Sequence, residues 1–141
     1  MFVSSRDEAR RFFLDVWRKH KDRMLLEPME QMVLTVILDH PEYQHLLEDP
    51  EASLAKDYTP EMGQTNPFLH MGMHIALREQ VSTDRPTGIQ KIHETLSRRT
   101  GDPHAAEHRM MECLGEALWR AQRNNQMPDE STYLQCLRSL G

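Results

Sequence analysis

The sequence predicts an all-α protein: a compact helical bundle of about five main helices plus short helices, with no sheet. Three observations point there. Apolar residues recur at helical spacing in most segments. Cap-and-proline start signals precede those segments at Asn66-Pro67, Asp102-Pro103 and Pro128-Asp129. The one β-branched run, Met32 to Leu38, has no partner strand elsewhere in the chain.

The first helix opens on Ser5-Arg6-Asp7-Glu8, which has capping-box form. Ala9, Phe12, Phe13, Val16, Trp17 and His20 then share one face, and the helix is expected to run to about Lys21. Glu27-Pro28 starts the second, and His40-Pro41 stops it, because the residue before a proline avoids the α region. Pro41 to Leu47 reads as a short helix. Asp49 to Gln64, with Pro50, Pro60 and Gly63, reads as mostly irregular and well placed to gate a site.

Asn66-Pro67 opens a third main helix whose apolar residues, Phe68, Leu69, Met71, Met73, Ile75, Ala76 and Leu77, surround it, so it is expected to be buried on nearly all sides. Asp84 to Gly88 is a turn, and Ile89, Ile92, His93 and Leu96 mark a fourth helix ended by Gly101. The fifth starts at Asp102-Pro103, carries Met110, Met111, Leu114, Ala117, Leu118 and Ala121, and ends near Asn124-Asn125. A last short helix follows Pro128-Asp129 and carries Tyr133, Leu134, Leu137 and Leu140. No repeat or internal boundary is visible, so residues 1–141 are expected to form one domain.

Composition narrows the function. Charged residues make up 28% and hydrophobic residues 38%, a globular balance. A net charge of -5 argues against a nucleic-acid binder, which must neutralise phosphates. No apolar run nears the ~20 residues that span a bilayer, and the N-terminus lacks a secretion signal. The two cysteines, Cys113 and Cys136, form no Cys-x-x-Cys motif, so they are expected to be unpaired, inert thiols in a reducing, cytoplasmic compartment. The ten methionines are expected to fill core.

The chemistry lies in two His-x-x-x-His segments, His70/His74 and His104/His108. Residues four apart stack on one helix face. Imidazole and carboxylate are ligands for zinc, iron, nickel and manganese, and bundles build metal sites from such stripes. Glu112 continues the second stripe and Glu107 lies beside it, as a further ligand or as a group that orients an imidazole. Short turns make the third and fifth helices parallel, which brings both pairs to one end. His40 and His45 fall at that end as secondary ligand candidates, and His20 falls at the other. The metal set expected is therefore His70, His74, His104, His108, Glu112 and Glu107, with no catalytic residue assigned. The alternative is a non-catalytic interaction or structural protein, with homodimerisation as its natural association, whose buried histidines hydrogen-bond without metal.

His104-Ala105-Ala106-Glu107-His108 also matches the string of inverted zinc peptidases. That family is much larger and needs a distant downstream acidic ligand, and with only 33 residues after His108 here the string is not expected to mark a peptidase.

Several segments together carry a resemblance: Ser5-Arg6-Asp7 leading to Phe12-Phe13, Trp17 to His20, His40 to Tyr43, Gly63 to His70, and Ala106-Glu107-His108 running to Glu116. Through them the chain resembles the short bacterial proteins grouped as domain of unknown function 1841, over nearly its whole length. The resemblance implies a free-standing bacterial protein and transfers no catalytic residues.

Overall fold

A computed structural model describes residues 6–55 and 66–140. The described residues form eight α-helices and one 3-10 turn, with no strand among them. The capping box at Ser5 and most of the Asp49–Gln64 segment lie outside the described residues. The chain divides into two units, residues 1–75 and 76–141, and the division falls inside one continuous helix.

The first unit contains α1 (Arg6–Lys21), α2 (Pro28–Leu38), the 3-10 turn Pro41–Tyr43, α3 (Gln44–Leu47), α4 (Pro50–Ala55) and the first half of α5 (Pro67–Thr83). Its core is the stripe expected from α1, with Phe13, Val16 and Trp17 buried against Val33, Val36 and Ile37 of α2 and Phe68, Met71 and Ile75 of α5. The Phe13 and Phe68 rings meet edge-on at 5.8 Å, a favoured aromatic geometry.

Met32 to Leu38 is helical, as its start signal predicts. Glu30 accepts from the Glu27 N–H at 2.9 Å and pairs with Lys19 at 2.7 Å, so one carboxylate both closes the start of α2 and ties it to α1. The Lys19 hydrogen bond and the Glu27 N–H hold that carboxyl below its ordinary pKa, and the same bond raises Lys19.

Residues 50–55 depart from expectation. They are helical, where the proline-rich composition suggested irregular chain. Pro50 occupies the first turn, where its missing N–H costs nothing, and Asp49 Oδ1 accepts from the Ala52 N–H at 3.3 Å. Helix α4 also has a tertiary partner that no local signal reveals. Arg10 of α1 is only 1% exposed, donates to the Ser53 carbonyl at 2.9 Å and lies 5.2 Å from the Phe68 ring centroid. A buried guanidinium needs such partners, because it never loses its charge.

Asn66 caps α5, its Oδ1 accepting from the N–H groups of Phe68 and Leu69 at 3.0 and 3.2 Å. From Pro67 to Val81 every residue of α5 is buried or half-buried except Leu69, which is 58% exposed.

The second unit holds the remainder of α5, α6 (Ile89–Thr100), α7 (Pro103–Arg123) and α8 (Glu130–Ser139), with α7 packed on both α6 and α8. Leu77, Ile89, Leu96, Ala106, Met110, Leu114, Tyr133 and Leu137 are buried. Gly101 ends α6 at φ +76, a left-handed conformation in which only glycine escapes Cβ strain. Asp102 and Asp129 cap α7 and α8 through the N–H groups of His104 and Ser131, each at 3.1 Å.

The largest correction concerns the cysteines. Cys113 of α7 and Cys136 of α8 form a disulfide, and no free cysteine exists among the described residues. Two thiols 23 positions apart carry no pairing motif, and only the antiparallel return of α8 along α7 brings them together. The disulfide removes the argument for a reducing compartment that rested on unpaired thiols. No helix of the described residues is long and apolar enough to cross a membrane.

Candidate functional site

In the first unit, the histidines gather where α2 ends and α5 begins. His40 follows α2, and Pro41 stops helical propagation there, so the chain turns and the imidazole folds back. Its Nδ1 lies 2.8 Å from the Val36 carbonyl. A carbonyl only accepts, so Nδ1 carries the proton and the Nε2 lone pair points away from the backbone. Metal-ligating histidines commonly have this tautomer, with the second nitrogen donating to a backbone carbonyl.

One turn apart on α5, His70 and His74 have ring centroids 4.9 Å from each other, and both pack against His40, at 5.1 and 4.8 Å. His40 and His74 are 2% and 0% exposed, whereas His70 is half-buried. Tyr43 completes the group. Its ring stacks on His40 at 5.5 Å with an interplanar angle of 6°, and it meets His70 edge-on at 6.2 Å. Burial raises the Tyr43 phenol above its ordinary pKa, with Glu42 adding to the effect.

In the second unit, Asp102 fixes the first turn of α7 and so aims its histidine stripe. The His104 and His108 rings lie 4.4 Å apart at an interplanar angle of 80°. His104 is half-buried and His108 exposed. Glu107 points elsewhere. It is 5% exposed and accepts from Arg78 Nε through both carboxylate oxygens, at 3.2 and 3.1 Å. Glu112 is exposed on α7.

Among the described residues, each unit gathers imidazoles of its own: His40, His70 and His74 lie together in the first, and His104 and His108 in the second. His74, His104 and His108 belong to the set expected from the sequence, and His40 was a secondary candidate there. His70, also of that set, packs against His40 and His74, Glu107 is engaged by Arg78, and Glu112 is exposed on α7. His45 is exposed on α3, and the ring of His20, also exposed, lies 5.5 Å from that of Trp17.

Two neighbours were missed. Arg78 follows His70 and His74 at the next helical turn, so the spacing 70, 74, 78 is its signal in the sequence. Tyr43 carried no signal, because its stacking depends on the turn after Pro41.

The donors gathered in each unit are imidazoles. That chemistry suits zinc, iron, nickel or copper and disfavours calcium and magnesium, which take oxygen ligands.

The model of one protein family matches residues 5–139, nearly the whole chain, and that family is described as a domain of unknown function (DUF1841). No curated protein and no solved structure matches the chain.

Proposed function

The chain belongs to the DUF1841 family, and we propose that it is a metal-binding member whose histidines, His40, His70 and His74 in the first unit and His104 and His108 in the second, are the ligand sources for a divalent transition metal. The observation that carries this reading is the cluster of three imidazoles in the first unit, His40, His70 and His74, whose ring centroids lie 4.8 to 5.1 Å apart. The hydrogen bond from His40 Nδ1 to Val36 supports it, because ligating histidines commonly donate their second nitrogen to a backbone carbonyl. Zinc, iron, nickel and manganese are the candidate ions, with imidazole favouring the first three. A bound ion would supply a Lewis-acid centre. Glu107 is then a support for α7 through Arg78 rather than a ligand.

Metal content of untagged, freshly purified chain, measured by mass spectrometry, tests the proposal. The expected result is stoichiometric metal on the native chain, reduced in His74→Ala or in His104→Ala variants that keep their circular dichroism. Chelator should then lower the melting temperature of the native chain, because a ligand bound only to the folded state stabilises it. A native chain that stays empty after incubation with zinc, iron, nickel and manganese, and whose melting ignores chelator, overturns the reading. The histidines would then be the polar core of a non-catalytic structural or interaction protein.

A further inference from the structure

The Cys113–Cys136 disulfide has two unlike ends. Cys113 sits inside α7 and is 1% exposed, whereas Cys136 on α8 is partly exposed. A cavity of about 210 Å³ opens beside the bond, between the second half of α7 and the start of α8, and both cysteines line it. Tyr133 forms part of its wall, and Glu116, Arg120 and Asp129 contribute polar groups. Arg120 is held at the cavity by Glu116 at 2.7 Å.

Thiol–disulfide exchange needs an attacking thiolate to approach one sulfur along the S–S axis, and access decides which sulfur is attacked. Both cysteines line the cavity, but Cys113 is buried and Cys136 partly exposed, so Cys136 is the more accessible residue. We propose that Cys136 is a thiol-exchange site and that Cys113–Cys136 is a redox-reversible bond, opened through this cavity by a dithiol reductant.

The reductant's thiolate bonds to Cys136 Sγ. The Cys113–Cys136 bond breaks, and its electron pair leaves on Cys113 Sγ, which takes a proton. The reductant's second thiol then attacks its own sulfur in the mixed disulfide and expels Cys136, which is protonated in turn. Two electrons and two protons pass to the chain, and the reductant departs as a disulfide.

The consequence falls on α8. Tyr133 and Leu137 bury it, Tyr133 Oη donates to Gln80 Oε1 at 2.7 Å, and Arg109 donates to the Leu140 carbonyl at 3.1 Å. A helix of 10 residues is marginal when isolated. Once the covalent tie opens, these contacts alone hold it, and the 124–129 connection is exposed throughout.

The test uses the full chain. Oxidised native protein is treated with dithiothreitol or reduced glutathione in native buffer, quenched by alkylation and mapped by peptide mass spectrometry. The expected rate of opening rises in proportion to thiol concentration, the glutathione adduct sits on Cys136, and reduction speeds proteolytic cleavage within residues 124–129. Single-cysteine chains give an independent reading with an aromatic disulfide reagent. Cys136 in Cys113→Ser should react about tenfold or more faster than Cys113 in Cys136→Ser. An opening rate independent of thiol concentration, an adduct on Cys113, or cysteines that never pair in oxidised dithiothreitol would overturn the proposal.

Discussion

The two units of this chain hold themselves together by different means. Residues 1–75 use a continuous apolar core, from Phe13 and Trp17 of α1 through Val36 and Ile37 of α2 to Phe68 and Ile75 of α5, and the buried Arg10 finds its acceptor and an aromatic face within it. Each unit carries a part-buried ion pair, Lys19–Glu30 in the first and Arg78–Glu107 in the second, but among the described residues the covalent tie, Cys113–Cys136, belongs to residues 76–141. The second half of α7 explains the difference. From Glu116 onward α7 is mostly exposed, with Leu118 and Trp119 in solvent, so little apolar burial remains there to seat α8. Where burial runs short, a covalent bond substitutes for it. It does so by restricting the unfolded chain rather than by adding surface contact.

Breaking the core of the first unit should have the largest effect. Phe13→Ala removes a side chain 2% exposed and its edge contact with Phe68, and large-to-small changes of this type cost about 4 kcal/mol. Equilibrium denaturation should show that loss equally with and without dithiothreitol, because no thiol belongs to that core. A loss below about 1 kcal/mol would mean that the site collapses around the missing ring.

Replacing both cysteines by serine should come next. The bond spans a sequence separation of 23 residues, for which loop-closure entropy predicts about 3 kcal/mol. Hydrogen exchange should place the loosening in α8. Uniform loosening over the whole chain would erase the contrast between the units.

The smallest effect concerns pH. Glu30 is held below its ordinary pKa chiefly by the Lys19 hydrogen bond. Its contribution is therefore fully present above the ordinary carboxylate value of ~4.3 and is lost as pH falls through the lowered folded value. Lys19 is raised, so its side of the pair persists below ~10.4 and is lost as pH rises through the raised folded value. Glu30→Gln should lower the neutral plateau slightly and flatten the acid limb of the stability profile. An unchanged acid limb would assign it to other carboxylates.

Much of the helical framework was legible because its signals are local. A cap acts on N–H groups two or three residues ahead, so Asn66, Asp102 and Asp129 announced α5, α7 and α8 directly. The stripe of Phe13, Val16 and Trp17 followed from helical period alone. The pairing of His70 with His74 and of His104 with His108 on shared faces was equally local.

What the tertiary structure decided are the partnerships between residues far apart in the chain. Spacing could show that Glu107 lies beside the histidine stripe, but not that Arg78 takes both its oxygens. It could place His40 at the end of α2, but not turn its Nδ1 onto Val36 and its ring onto His74. It showed two cysteines without their bond, and an arginine on α1 without its buried acceptor on α4. Helix period and capping are set within about four residues of the backbone. Choosing a partner for a charge, a thiol or an imidazole takes the path of the whole chain, because desolvation makes that choice obligatory only once packing has closed around the group.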